Sequence, residues 1–368
     1  MSTRIKIRDI TGYLEQLAPK SYQESYDNSG LITGDYDQEA RGVLVTLDCT
    51  EAVVDEAIQQ NCNLIIAHHP IVFKGLKKLT GSNYVERTII RAIKNDIAIY
   101  AIHTNLDNIH VGVNRKIADR IGLRNVRILA PKKNTLSKLV VFIPIENSEA
   151  VLAALHKAGA GQIGHYKNCS FTLEGVGSFM PDENATPHIG QKLTQEQVRE
   201  VRAEVIFPSH LEGTVLGALR QTHPYEEVAY YISALDNENQ EVGAGMVGDL
   251  EHPVEPLTFL KGLKISMELE MIRHTRLLDT PVKRVAVCGG SGSFLLNNAI
   301  QSGADVFITA DFKYHEFFDA DGRILIADIG HYESEAFTKE LLKEVLIKKF
   351  PTFAIIFSKS VTNPISYL

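Results

Sequence analysis

The chain has 368 residues, of which 44% are hydrophobic and 23% charged, and a net charge of −7. This is ordinary globular composition for a chain too long for one small core, and its acidic balance excludes a protein that binds nucleic acid through a basic face. Cys49, Cys62, Cys169 and Cys288 form no C-x-x-C pair and read as reduced thiols of a cytoplasmic protein. The opening stretch MSTRIKIRDITGYLEQL has no signal-type apolar core. No apolar run approaches the roughly 18 residues of a membrane helix, so no membrane partner is expected.

In chain order, Gly42–Asp48 (GVLVTLD) predicts a buried strand and Glu51–Gln60 a helix. Asn63–Pro70 (NLIIAHHP) predicts a strand that ends on two adjacent histidines, with Pro70 forcing the turn. A helix over Asn83–Asn95 and a strand over Ile97–His103 follow. Pro131–Thr135 (PKKNT) reads as a linker. Beyond it, strand–helix–strand occurs twice, the second time over Gln197–Leu235, which is the pattern of a ferredoxin-like α+β module. Gly243–Leu250 returns the chain to the first domain. Strand Arg284–Gly290, helix-like Ser293–Gly303, strand Asp305–Asp311 and strand Arg323–His331 complete it. The expected fold class is α/β: a duplicated outer domain around a mixed sheet (residues 1–131 and 243–368), interrupted by an inserted ferredoxin-like α+β domain (residues 132–242).

The duplication is visible in the letters. AIQQNCNLIIAHH (Ala57–His69) lies over AIQSGADVFITAD (Ala299–Asp311) without a gap, and IAIYAIHTNLD parallels ILIADIGHYESE with one inserted residue. Each copy ends in a histidine with an acid four residues on, His103 with Asp107 and His331 with Glu335. Ligands of open α/β sheets sit beyond the carboxyl ends of strands. A helix after Gly330 would put His331 and Glu335 on one face. One such histidine alone is usually a hydrogen-bonded turn residue. Together, His68, His69, Asp107, His331 and Glu335 occupy three strand ends with donors that suit one or two divalent transition metals. Five ligands exceed the three that a catalytic zinc takes beside its water. They suit two ions that share a water and a bridging carboxylate, for which Glu335 is the choice.

Other motifs carry two readings. Cys288–Phe294 (CGGSGSF) follows a strand and opens a helix, so its N–H groups could cradle a phosphate, or it is a tight turn. No Gly-Lys-Ser/Thr follows, which excludes a nucleotide-triphosphatase loop. Lys74, Lys77 and Lys78 follow the histidine pair and could meet phosphates, or form a solvated loop.

YDNSGLITG (Tyr26–Gly34), VLVTLDCT, AHHPIVFKGLKKLT, IYAIHTNLDNIHVGVN, RVAVCGGSGS and DIGHYESE stand in the order of one known family. The chain resembles the GTP cyclohydrolase I type 2 homologue, or NGG-interacting-factor-like, proteins. That resemblance implies a toroidal homohexamer with two divalent ions per subunit, held by the same five residues. It places His103 at substrate or behind the metals, and likens the middle segment, with its THPYEE (Thr222–Glu227), to a PII- or CutA-like insertion. Tyr26 stands where the family often has tryptophan, and Asp311 and His315 lie in a variable setting. Two function classes fit. One is a metal-dependent hydrolase with a metal-activated bridging water, opening GTP or cleaving another small molecule, with His103 or His315 moving protons. The other is a non-catalytic metal-binding regulator or metallochaperone. Zinc, iron, manganese or cobalt would suit the ligands.

Overall fold

Strands Val43–Thr46, Leu64–Ala67 and Ala98–Ala101 run parallel and are buried at every position in the computed structural model, which describes residues 4–368. Successive side chains in a strand point to opposite faces. Val43, Val45, Leu64, Ile66, Ala98 and Tyr100 join one core, while Leu44, Ile65, Ala67 and Ile99 join another. Burial on both faces explains the unbroken apolar runs. Gly30–Thr33 closes one edge antiparallel to Ala98–Ala101, and Ile355–Phe357 extends the other edge parallel to Val43–Thr46.

The second half uses the same order. Val282–Ser291, Val306–Ala310 and Leu325–Asp328 are parallel neighbours, with Arg273–His274 antiparallel at the edge beyond Leu325–Asp328. Asn239–Val254 and then Arg124–Lys132 complete six strands. The expectation of one mixed sheet is therefore corrected, because each half builds its own. Val285, Val287, Val306, Ile308, Leu325 and Ala327 share the core of the first sheet, and Ala286, Phe307 and Ile326 face a separate one. Helices Ile7–Leu17, Val113–Arg120, Pro256–Ser266 and Thr338–Lys349 contribute Ile7, Ile10, Leu14, Val113, Ile117, Leu263, Leu342 and Leu346 to the shared core. These apolar stripes supply the surface that a single sheet would have had to supply.

Local details recur across the halves. Asn61 (φ 54°) and Gly303 (φ 73°) align and take the same left-handed turn before a strand, a conformation Asn and Gly tolerate best. Two residues on, Asn63 Oδ1 accepts the N–H of Arg41, and the aligned Asp305 accepts those of Lys283 and Arg284.

By contact density the chain forms two compact units: the outer one closes at Ala130 and resumes at Val242, and the other is Pro131–Glu241. The latter holds antiparallel strands in the spatial order Phe171–Phe179, Glu196–Pro208, Leu136–Pro144, Tyr230–Leu235. Helices Ser148–Lys157 and Glu212–Thr222 bury Val151, Leu155, Val215 and Leu219 against Leu139, Val141, Val205 and Phe207 of the sheet.

Strands Arg124–Lys132 and Asn239–Val254 are neighbours in the outer unit, where Gly245 packs on Leu129 and Gly248 on Arg124. The two cut ends thus leave one sheet side by side, about 5 Å apart at the usual strand spacing. Joining Ala130 to Val242 through a short flexible linker should leave a cooperatively melting outer unit that still takes up metal. Aggregation, or a broad melt by circular dichroism, would show that residues 131–241 are integral to that core.

Candidate metal centre

Strands of both sheets, Leu64–Ala67 and Ala98–Ala101 of the first and Leu325–Asp328 of the second, end at one cavity. His68 and His69 follow Leu64–Ala67. His103 follows Ala98–Ala101 and precedes the single helical turn Thr104–Asp107. His331 begins and Glu335 ends the turn His331–Glu335, so their spacing of four puts both on one face. Gly330 enters that turn at φ 90°, a conformation that glycine reaches without strain.

Glu335 is the buried centre. Its Oε1 lies 3.8 Å from His68 Nε2, and its Oε2 lies 2.8 Å from His69 Nε2 and 3.3 Å from His331 Nε2. Asp107 Oδ1 lies 3.5 Å from His68 Nε2. Two sets of donors, each within 4.8 Å of one another, result: His68, Asp107 and Glu335, and His69, His331 and Glu335. A third set is His68, His69 and His103.

Each imidazole is braced from behind. His68 Nδ1–H donates to the Ile102 carbonyl at 2.8 Å, His69 Nδ1–H to Asp48 at 2.7 Å, His331 Nδ1–H to Asp311 at 2.7 Å and His103 Nδ1–H to Asp27 at 2.8 Å. Such partners fix the ring, aim Nε2 inward and raise its basicity. His68 Nε2 and Asp107 Oδ1 face each other buried, and neither has a hydrogen-bond partner. Buried polar atoms are normally paired. An imidazole nitrogen and a carboxylate oxygen left open together are what a cation completes, so the residues fit a metal ion.

The electrostatics agree. Burial works to lower the pKa of His69, but hydrogen bonds to Asp48 and Glu335 outweigh it and raise it to about 10. His331 is likewise raised to about 9 against its burial, by Glu335 and Asp311. Burial, reinforced by the charge of Glu335, pushes Asp107 up. Burial would push Glu335 up too, yet His331, His68 and His69 hold it well below the usual carboxylate range.

Several expectations resolve here. The Gly289 N–H donates to Asn114 and the Gly290 N–H to Ser334, so neither is free to cradle a phosphate. Gly290 (φ 61°) is instead a close approach, since a Cβ there would stand 2.5 Å from Glu335 Oε1. Lys74, Lys77 and Lys78 are exposed and do not line the cavity. His315 is also exposed, set between Tyr314 and Phe318, and lies outside the cavity lining. The reason is the left-handed turn at Asp311 (φ 59°), followed by buried Phe312, which leads the chain into the surface helix Tyr314–Ala320. The bracing residues were missed. Asp311 stands opposite His69 in the repeat and Asp48 ends a predicted strand, so a search for acids at strand ends would have found both. Thr362, which donates to Asp48 at 2.7 Å and lines the cavity with Pro364, lies in a segment without periodicity.

Fold and cluster define an α/β protein with several mixed sheets and a buried histidine–carboxylate site able to hold a metal ion. The family model Duf34/NIF3 (NGG1p interacting factor 3) matches residues 5–364, and the chain belongs to that family. A Bacillus subtilis protein named GTP cyclohydrolase 1 type 2 homolog is 40% identical over 374 residues, 100% of each chain. A Halalkalibacterium halodurans protein of the same name is 38% identical over 360 residues, 96% of each. Among solved structures, a Bacillus cereus protein related to NIF3 superposes with TM-score 0.87 at 38% identity over 100% of both chains. A Staphylococcus aureus protein superposes with TM-score 0.79 at 32% identity over 99% of both. Among the described residues no helix is long and apolar enough to cross a membrane.

An imidazolium cannot ligate, and His69 and His331 without metal hold their protons up to about 10 and 9. Zinc or manganese affinity should therefore rise between about pH 6 and 9 with proton release on binding. Calorimetry in buffers of different ionisation enthalpy reads that release directly, and a pH-independent affinity would contradict the assigned protonation. Asp48→Asn should weaken binding about 10–100-fold, the usual effect of removing a partner behind a ligating histidine.

Proposed function

We propose that this chain is a metal-dependent hydrolase that holds two divalent ions, one by His68, Asp107 and Glu335 and the other by His69, His331 and Glu335. The observation that carries this reading is the single buried carboxylate with one oxygen toward each donor set. Two such ions, when bound, would supply Lewis-acid polarisation and acidify a water at the site. The nitrogen and oxygen donors suit zinc, iron, manganese or cobalt.

The remaining chemistry belongs to the chain. Burial disfavours the charge of Asp27, but hydrogen bonds from His103, Thr104 and Asn28 outweigh it and hold its carboxyl well below the usual range. An ionised Asp27 keeps the proton on His103 Nδ1, leaving Nε2 in the cavity as the group that accepts and returns a proton. The name borne by the Bacillus and Halalkalibacterium relatives points to hydrolytic opening of a purine ring, with GTP the first candidate.

The same reading extends to the rest of the chain. Residues 131–241 form a ferredoxin-like, PII/CutA-like module. Its strands, numbered along the chain, lie in the spatial order 2-3-1-4, with a helix after the first and after the third. The subunits assemble as a homohexamer. Exposed Tyr314 and Phe318 offer apolar surface of the kind that copies cover on each other.

Glu335→Ala should lose both ions by elemental analysis of refolded, metal-exposed protein, whereas Asp107→Ala should lose one. Two equivalents retained by Glu335→Ala would remove the bridge. Metal-loaded protein should release formate from GTP. His103→Ala should lower that rate about 10²–10⁴-fold at unchanged metal content. Formate release absent with zinc, iron, manganese and cobalt alike would favour the non-catalytic metal-binding reading.

A further inference from the structure

The cavity beside the cluster measures about 690 Å³, a size that takes a small organic molecule. Two features of its wall do not serve the metal ligands. The first is aromatic: Tyr26, Phe73, Tyr84 and Phe294 all line it, and they are 69%, 49%, 60% and 67% exposed. Large rings left this open are costly, and four from separate segments converge here. Phe73 also lies 5.6 Å, edge to face, from the ring of His103. A flat group laid on Phe73 therefore comes beside the nitrogen that moves protons.

The second feature is charge. Among the described lining residues there is no Lys or Arg, while Glu24, Asp48, Asp107 and Glu335 contribute four carboxylates. Two divalent ions offset those charges and leave no surplus for a polyanion. Recognition of a triphosphate normally uses Lys, Arg or free backbone N–H groups. The glycine loop has committed its N–H groups at Gly289 and Gly290 to Asn114 and Ser334.

We propose that this cavity recognises its substrate through a planar heteroaromatic ring, held by stacking on the aromatic rim, and that phosphate groups, where the substrate carries them, contribute little to its recognition. The proposal rests on the two-metal reading for its charge count and narrows the substrate class of that site. Stacking tolerates many ring systems because each presents a π-face, so the rim sets the class and the metals and His103 set which bond reacts. Phe294 and Tyr26 are specificity-determining residues in this account.

The test is calorimetric titration of the metal-loaded full-length protein with guanosine, adenosine, nicotinamide, GTP and tripolyphosphate. At least one planar uncharged probe should bind no more weakly than GTP, and tripolyphosphate should bind more weakly than either. Phe294→Ala should weaken the planar probe about tenfold, as loss of one stacking ring does. Phe294→Tyr should restore the affinity, with metal content unchanged in both. GTP and tripolyphosphate each binding tenfold tighter than every planar probe overturns the proposal. So does an affinity indifferent to Phe294→Ala, or no planar probe binding at 1 mM. Elemental analysis of the same samples keeps the two claims apart. Two ions per chain with no response to planar probes sinks this inference alone, and fewer than two ions sinks the metal count while the Phe294 comparison still reads the rim.

Discussion

A carboxylate buried in protein must find positive or donating partners, and Glu335 finds three imidazoles. Two of them, His68 and His69, come from the first sheet, and the third comes from the turn that carries Glu335 itself. The charge therefore has no satisfactory environment unless both halves of the outer unit are in place. Gly290 lets the second sheet come close enough to Glu335, and Asp48, Asp311 and the Ile102 carbonyl keep the rings facing it. The ends of two independent sheets are thus held in register by one side chain.

The repeat shows how two similar halves make an asymmetric site. Both place three parallel strands in the same order with a short antiparallel strand at the edge. At the end of the middle strand, however, the first half carries His69 and the second carries Asp311. His69 faces Glu335, while Asp311 stands behind His331 and orients it. One position in the repeat thus supplies a donor in one copy and a brace in the other.

The six residues of the cluster were legible because they are local: two adjacent histidines before a proline, and two His-x-x-x-acid turns at the ends of apolar runs. The apolar runs themselves were legible for the same reason, and the strands Val43–Thr46, Leu64–Ala67 and Leu325–Asp328 fall within the predicted spans. What escaped was tertiary. Whether strands share one sheet or two depends on edge strands such as Arg273–His274, only two residues long. His315 looked equivalent to His103, but a left-handed residue four positions earlier sends it to the surface. The glycine loop could not be assigned from its letters, because a phosphate cradle and a close packing contact demand the same residues. Only the partners of its N–H groups decide between them.

Glu335 stands 266 positions after His69, with residues 131–241 folded between them. On a chain made from its N-terminus, His68 and His69 emerge as a bare pair at the end of a strand, and their carboxylate arrives only after residues 131–241 have been made. Contacts of such long sequence separation form late because closing the intervening loop is entropically costly. The cluster is consequently complete only once both halves of the outer unit are present. A complete site reports that both sheets have formed and docked, and a nascent chain carries only an incomplete ligand set.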